Sequence, residues 1–153
     1  MIDLDEMDGK ILRLLQADAG LSTADIAAKV GLSTSPCWRR IKRLRDAGVI
    51  EGQVTLVDPS SVGLKVTVFA SVTLSGQHSE SVAAFEGAVR AAPEILDCHA
   101  VTGDRDYMLR IVVPDIEAYD RFLTKTLLHL PEVGSINSRF ALHRVKFTTA
   151  LPL

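Results

Sequence analysis

The sequence predicts an α+β protein in which three helices precede two β-α-β halves. Apolar residues recur at helical spacing through the first fifty positions, whereas from Val66 onward they also alternate as in strands. The helix ends Ala92-Pro93-Glu94-Ile95 and Leu130-Pro131-Glu132-Val133 resemble each other, and each leads into a predicted strand. This weak repeat divides the second part of the chain into two similar halves.

The composition is typical of a folded globule. The 153 residues are 47% hydrophobic and 24% charged, and no run approaches the ~20 apolar residues that a membrane span needs. We find no charged-then-apolar leader. Cys37 and Cys98 form no CxxC pair, so we expect reduced thiols and a cytoplasmic protein that has no membrane partner.

Start and stop signals mark the first helices. The first is predicted to carry acids in its first turn and to end near Gly20. Ser22 suits the N-cap of a short helix, Thr23–Val30, and Asp25 occupies the capping-box position three residues on. Gly31-Leu32-Ser33 then predicts a tight turn.

The third predicted helix, residues 33–48, is strongly basic, with Arg or Lys at five of the seven positions from 39 to 45. Its apolar or small face holds Cys37, Ile41, Leu44 and Gly48. The opposite face holds Ser35, Arg39, Lys42 and Arg43. This helix is predicted to dock by one side and to present cations on the other.

The local charge matters more than the net charge of −2. Residues 1–31 hold three bases and six acids, whereas residues 32–48 hold five bases and one acid. Because salt screens charges beyond about 8–10 Å, a local basic face is enough to bind phosphates. The predicted elements follow the helix-turn-helix order of a helix, a short helix, a Gly turn and a basic helix. A helix of about 22 Å fits a major groove. The alternative is a surface bundle with solvated charges.

A family pattern lies in the same segments. The matching residues are Leu4-Asp5-Glu6-Met7-Asp8, Ile11-Leu12, Ile26-Ala27, Val30-Gly31-Leu32-Ser33, the run 35–44 and Gly48-Val49-Ile50. They resemble the leucine-responsive and asparagine-operon regulators, the Lrp/AsnC family, and the resemblance runs essentially end to end. It implies a winged-helix-like helix-turn-helix DNA-binding domain at 1–52, a strand and linker at 53–64, and a ferredoxin-like effector-binding and oligomerisation domain at 65–153.

On this hypothesis double-stranded DNA is the partner of the basic helix. We expect Ser35, Arg39, Lys42 and Arg43 to face the groove. Thr34, Arg40 and Arg45 are expected to hold phosphates. Trp38 lies at the border and is expected to cover the interface with the first helix, with contact to the DNA backbone as the alternative.

The second domain is predicted to form a four-stranded antiparallel sheet with both helices on one face, the split βαβ arrangement. A short strand at 54–57 and a linker around Pro59 precede it. The predicted strands are Val66–Leu74, 95–101, Tyr107–Val113 and 135–148, with helices at 79–92 and 117–129. Two helices should be unable to bury all of the apolar strand residues Val68, Ala70, Val72, Leu109, Ile111 and Phe140. An open apolar face predicts dimerisation through the sheets.

The loop Thr102-Gly103-Asp104-Arg105-Asp106-Tyr107 joins two predicted strands. It offers backbone N–H groups for a carboxylate and two carboxylates for an ammonium, which are the needs of an α-amino acid. The alternative is a hairpin turn with solvated acids. The loop resembles the family's Gly-Asp-x-Asp effector loop, with Arg105 where the family usually has an aromatic residue. The effector-binding residues that the resemblance implies are Ala100, Thr102, Gly103, Asp104, Asp106 and Ile116, with Phe140 and Ala141 from another subunit.

Evidence for catalysis is missing from the sequence. His78, His99, His129 and His143 share no metal-ligand spacing, and no nucleophile arrangement, P-loop or dinucleotide pattern appears. We expect no enzyme, no cofactor and no metal, and instead a transcriptional regulator that responds to an amino acid. The resemblance implies a homodimer that assembles into a higher even-numbered oligomer, foremost an octamer. The rival hypotheses are a small ferredoxin-like enzyme and an architectural DNA packager.

Overall fold

The computed structural model describes residues 3–76 and 78–153, which form two compact units. One unit comprises the chain up to Leu56 together with Lys146–Leu153, and the other is Val57–Val145. The last eight residues therefore group with the N-terminal helices, although the sequence analysis assigns them to the second domain. Gln16 holds them there, because its side-chain amide accepts from the Leu151 N–H at 2.6 Å and donates to the Leu151 carbonyl at 3.3 Å.

The described part of the first unit has the helix order that the sequence predicts. The helices are α1 Glu6–Ala17, α2 Thr23–Val30 and α3 Thr34–Asp46. Asp5 and Asp8 form a capping box at α1, and Ser22 and Asp25 form the predicted one at α2. Gly31 follows α2 with a φ of +73°, a left-handed conformation that suits glycine and confirms the tight turn.

Buried side chains from these helices form the core of the first unit. They are Ile11, Leu12, Ile26, Ala27, Cys37, Ile41 and Leu44. The docking face predicted for α3 is thereby confirmed for its three apolar members. Each large apolar side chain buried here contributes about 1.5–3 kcal/mol relative to exposure, and this docking directs the basic face of α3 to solvent.

The described part of the second unit forms two layers, in which helices pack on one face of a β-sheet. Its elements are a 3₁₀ turn Ser60–Val62, β1 Val66–Leu74, α4 Ser79–Ala91, β2 Ile95–Ala100, β3 Tyr107–Val113, α5 Ile116–Phe122 with a following π-helical turn Leu123–Leu127, and β4 Val133–Phe140. The four-stranded sheet is antiparallel with the order β2-β3-β1-β4. This order confirms the ferredoxin-like fold class.

The helices cover more of the sheet than the sequence analysis expects. Five of the six strand residues in question are fully buried: Val68, Ala70, Val72, Leu109 and Ile111. They pack with helix residues such as Phe85 and Leu127. The sixth, Phe140, is 43% exposed and stacks edge-on against Tyr119, with ring centroids 5.4 Å apart.

The opposite face of the sheet is mixed rather than uniformly apolar. It presents Phe69 and Met108, which are 41% and 38% exposed. In the strand register Phe69 pairs with Arg110 on β3 and with Arg139 on β4. The prediction of an apolar open face is therefore wrong about which residues form that face. The open face combines a few apolar side chains with cations.

Two strand predictions are wrong. Residues 54–57 form no strand; Val54 and Leu56 are 82% and 59% exposed, and no described strand pairs with them. Extended backbone without a ladder partner gains no strand hydrogen bonds. The last strand ends at Phe140 instead of residue 148, because Phe140 already pairs with Val68 near the start of β1. None of the described helices is both long and apolar enough to cross a bilayer.

Candidate nucleic-acid interface and ligand-binding loop

The solvent face of α3 carries the side chains that the sequence assigns to DNA. The exposed members are Thr34, Ser35, Arg39, Lys42, Arg43 and Arg45, while Arg40 is half-buried. Within residues 3–76 and 78–153, Arg39 and Arg45 take part in no ion pair, whereas Lys42 lies 2.5 Å from Asp46 one turn along. The helix has 13 residues and a length of about 20 Å, which suits a major groove.

Asp8 is a residue of this region that the sequence reasoning missed. Its side chain is fully buried, and both carboxylate oxygens accept from α3: Oδ1 from Nη1 of Arg40 at 2.9 Å, and Oδ2 from Nη2 of Arg43 at 2.5 Å. The same Nη1 of Arg40 lies 2.7 Å from Oδ2 of Asp5. Asp5 and Asp8 thus pair with arginines of α3, in addition to their favourable interaction with the α1 dipole.

The ionisation of this cluster follows from its contacts. Hydrogen bonds to Asp5 and then to Asp8 raise the pKa of Arg40 above its ordinary value. A hydrogen bond from the Asp8 backbone N–H, followed by one from the Arg40 guanidinium, lowers the pKa of Asp5. Asp5 and Arg40 therefore each favour the charged form of the other. The sequence signal that could have revealed the cluster is a second acid at the N3 position of α1 on the side that faces α3.

A shallow hollow of about 340 Å³ opens beside the cluster on α3. Its lining residues are Asp5, Pro36, Arg39, Arg40 and Arg43. Trp38 is 53% exposed on the same helix, so about half of this residue is open to solvent, and its contact with α1 stays a prediction. The core position at this level of the helix belongs instead to the neighbouring Cys37, which is fully buried.

The loop between β2 and β3 combines a glycine at positive φ with backbone N–H groups that have no partner among the described residues. Gly103 has a φ of +117°, which residues with a side chain rarely adopt. The loop is closed by the Val101 N–H, which donates to the Asp106 carbonyl at 2.9 Å. Among the described residues no hydrogen bond uses the backbone N–H of Thr102, Gly103 or Asp104. These donors point to an anion such as a carboxylate.

The two acids of the loop differ in their surroundings. The Asp104 side chain is 90% exposed and lies 3.4 Å from Nε of Arg105. The Asp106 carboxylate accepts the Leu74 N–H at 2.8 Å, and the Asp106 N–H donates to the Val72 carbonyl at 2.9 Å. Asp104 therefore faces solvent, whereas Asp106 joins the loop to the end of β1.

Arg105, at the family's usual aromatic position, turns toward the sheet. Its Nη1 donates to Thr73 Oγ1 at 3.3 Å and to Ser135 Oγ at 3.2 Å. Thr73 and Ser135 are register partners on β1 and β4. The guanidinium thus bridges the loop and two strands.

The predicted effector residues fall into two groups within one chain. One group gathers at the end of the sheet where β3 begins with Tyr107, and it comprises Ala100, Thr102, Gly103, Asp104 and Asp106. Ile116, Phe140 and Ala141 lie at the opposite end, since Ile116 follows the end of β3 and the Ala141 N–H donates to the Thr67 carbonyl at 2.9 Å. A strand as long as β3 separates the groups by about 20 Å.

A cavity of about 360 Å³ lies between α4 and the edge strand β2. Its lining residues are Glu86, Val89, Arg90, Ile95, Asp97, Cys98, Ala100 and Tyr107. Of the predicted effector residues it includes Ala100 alone. Glu86 accepts from Arg90 at 2.6 Å and from the Tyr107 hydroxyl at 3.2 Å. The third charged residue of the lining, Asp97, pairs with Arg110 at 2.7 Å.

Metal-ligating groups do not gather within the described residues: no set of three His, Cys, Asp or Glu side chains there could hold an ion. His99 is 3.5 Å from Asp97 and its side chain is 71% exposed. The expectations of no metal and no cofactor stay predictions.

Two family models match this chain, and together they span most of it. A winged helix-turn-helix DNA-binding model matches residues 4–51, and the Lrp/AsnC ligand-binding domain model matches residues 67–151. The chain belongs to the Lrp/AsnC family of transcriptional regulators. Members of this family are not enzymes, so the rival hypothesis of a ferredoxin-like enzyme is set aside.

Individual relatives of this Lrp/AsnC regulator align over nearly their whole length. It is 44% identical to the Bkd operon transcriptional regulator of Pseudomonas aeruginosa over 153 residues, all of both chains. It is 39% identical to the DNA-binding transcriptional activator DecR of Escherichia coli, covering 98% of this chain and 99% of that one. The family, the fold class and the function class of a DNA-binding transcriptional regulator predicted from the sequence are confirmed, while the predicted domain bounds stay a prediction.

Solved structures agree with the fold. An AsnC family transcriptional regulator from Agrobacterium tumefaciens has a TM-score of 0.93 at 46% identity, with 97% of each chain covered. A transcriptional regulator from Neisseria meningitidis, solved as a complex with L-Met, has a TM-score of 0.94 at 38% identity, with 98% of this chain and 97% of that one covered.

Proposed function

We propose that this Lrp/AsnC regulator binds operator DNA through α3 in the cytoplasm, as a homo-oligomer, and that an amino acid bound at the 101–106 loop changes DNA binding or assembly. The observation that carries the DNA part is the basic face of α3, which stays exposed while Cys37, Ile41 and Leu44 are buried. A helix docked by its apolar side presents its cations to a groove as a fixed array.

In the proposed complex Ser35, Arg39, Lys42 and Arg43 face the major groove, and Thr34 and Arg45 hold phosphates. Side chains that reach base edges give sequence preference, whereas phosphate contacts give affinity alone. Arg40 is left out of the phosphate set, because its guanidinium is bound to Asp5 and Asp8.

Mobility-shift titrations test this assignment. The probes are a duplex selected from a random library by the wild-type protein and a random duplex of equal length. Arg39→Ala and Arg43→Ala should each weaken binding to the selected duplex by about 1–3 kcal/mol if they read bases. Arg121→Gln, an exposed cation on α5, is the matched control and should bind like the wild type. Negligible losses for both α3 variants would exclude α3 as the recognition helix.

The oligomer is proposed to be a homodimer that assembles further in even numbers, foremost an octamer. One chain carries one recognition helix, and binding to paired half-sites needs two. The open sheet face with Phe69 and Met108 supports a contact between sheets. Light scattering after size exclusion should give an even number of chains, and Phe69→Glu should lower it. A monomeric wild type would contradict the proposal.

The effector is proposed to be an α-amino acid. The unpaired N–H groups at Thr102, Gly103 and Asp104 suit a carboxylate, and exposed Asp104 suits an ammonium. The Neisseria neighbour, solved with L-Met, supports this ligand class. A ligand that binds the folded state raises the melting temperature, so thermal-shift screening of the twenty amino acids should give a hit that Asp104→Ala removes. If no amino acid changes stability, assembly or DNA binding, the architectural DNA packager is the better description.

A further inference from the structure

Asp8 is the charged side chain that the fold buries completely among residues 3–76 and 78–153. Besides Arg40 and Arg43, its Oδ2 accepts the backbone N–H of Asp5 at 3.2 Å. A buried carboxylate is tolerated when its partners are cations and its oxygens are hydrogen-bonded. Both conditions are met here by groups on α3 and at the start of α1.

Three arginines of the α3 surface, Arg39, Arg40 and Arg43, differ in how far their charge is already compensated. Arg40 is paired with two carboxylates, those of Asp5 and Asp8. Arg43 is paired with Asp8 through Nη2, and its side chain remains 46% exposed. Arg39 has no ion pair within the described part of the chain.

This difference in charge compensation determines how strongly each arginine attracts a DNA phosphate. The four side chains of the cluster, Asp5, Asp8, Arg40 and Arg43, sum to zero net charge. A phosphate that approaches α3 therefore meets the full charge of Arg39 and a partly compensated Arg43. The guanidinium of Arg40 would have to leave two carboxylates, one of them buried, before it could bind DNA.

Given the proposed function, we propose that Asp8 is a positioning residue for DNA recognition. It holds Arg40 away from the DNA backbone and fixes the Arg43 guanidinium at the groove, while the uncompensated Arg39, which also faces the groove, neutralises a phosphate at the groove edge. Asp8 thereby limits sequence-independent binding and favours binding that depends on the oriented Arg43.

The salt dependence of binding distinguishes these roles. Each phosphate that a protein cation neutralises adds about 0.9 to the slope of log K against log salt. Arg39→Gln should lower the slope by about one per bound subunit. Arg40→Gln, the same chemical change one position away, should leave the slope nearly unchanged, because its charge is already compensated.

The decisive variant is Asp8→Asn, which keeps the shape of the side chain and removes its charge. The substitution leaves one arginine charge of the cluster uncompensated. Binding to the random duplex should therefore strengthen, and the slope of log K against log salt for that duplex should become steeper. The ratio of affinities for the selected and the random duplex should fall about five- to tenfold. A residue that merely stabilised the fold would move neither the slope nor this ratio once the protein is folded.

Titrations of the full-length protein against both duplexes at four salt concentrations test the proposal, with circular dichroism to show that each variant is folded. Equal slope losses for Arg39→Gln and Arg40→Gln, or an unchanged affinity ratio for folded Asp8→Asn, would overturn it. If Asp8→Asn does not fold, the comparison of the salt slopes of Arg39→Gln and Arg40→Gln still tests the proposal. A wild type that shows no preference for the selected duplex would overturn the proposed function itself, an outcome distinct from the other two.

Discussion

The Oδ2 atom of Asp106 accepts a hydrogen bond from the backbone N–H of Leu74 at 2.8 Å, which joins the 101–106 loop to the end of β1. Asp104, two positions earlier, has a side chain that is 90% exposed. Acids that look equivalent in the sequence therefore differ in role. One maintains the loop, and the other is accessible to a ligand.

Substitution of each acid by alanine should separate stability from ligand response. Asp106→Ala removes a charge-assisted hydrogen bond to backbone, so the free energy of unfolding should fall by about 1.5–3 kcal/mol. Asp104→Ala at an exposed position should change it by less than about 0.5 kcal/mol and should abolish the thermal shift caused by an amino acid. Urea denaturation of the two variants measures the first effect. Equal destabilisation by both would contradict the division of roles.

Arg105 should influence which amino acid is preferred. Its guanidinium spans Thr73 and Ser135 and lies beside Asp104, so Arg105→Tyr changes the charge next to the loop carboxylate. We expect the ranking of amino acids in thermal-shift screening to change, while the affinity for the selected duplex without an amino acid stays within about twofold. Thr73→Val, which removes one acceptor and keeps the charge, should preserve the ranking. An unchanged ranking for Arg105→Tyr would show that the side chain takes no part in selection.

The elements with strong local signals are those that the sequence predicts well. The capping box at Ser22 and Asp25 and the docking face with Cys37 and Leu44 depend on spacing within a single helix. The strand proposed at 54–57 has the right pattern and still does not form, because pairing depends on a partner that the pattern does not specify. The same reason explains why the last strand is shorter than predicted.

The sites are only partly predictable. The sequence identifies the exposed cations of α3, yet it does not show that Asp8 compensates Arg40, since that contact joins residues far apart in the chain. Likewise, Asp104 and Asp106 are indistinguishable until the Leu74 N–H is located. Periodicity specifies which way a side chain points, whereas its partner depends on packing between elements.

Stability of the first unit should decrease in acid. Hydrogen bonds from the Ser22 hydroxyl and backbone lower the pKa of Asp25, as those from Asp8 and Arg40 lower the pKa of Asp5. A lowered folded-state pKa contributes stability that is present above the unfolded value of about 3.9 and is lost as the pH falls through the folded value. Thermal melts between about pH 5 and pH 2 should therefore show falling melting temperatures. Asp25→Asn should reduce this pH dependence, and a profile identical to that of the wild type would exclude the capping box as its source.

The two thiols should be slow to react in the native protein, and to different degrees. Burial raises the pKa of Cys37, and burial followed by the charge of Glu86 raises that of Cys98, so both hold less thiolate near pH 7.5 than a free cysteine with a pKa of about 8.5. Cys37 is fully buried, whereas Cys98 lines the cavity of about 360 Å³ beside α4.

With Ellman's reagent, the Cys37→Ala variant, which retains Cys98, should react faster than the Cys98→Ala variant, which retains Cys37. Both variants should react more slowly in native buffer than in urea. Because access to Cys37 requires the core of the first unit to open, its rate should fall further when DNA stabilises that unit, while the rate of Cys98 should not. A native Cys37 that reacts as fast as Cys98 would contradict the packing of α3 on that core.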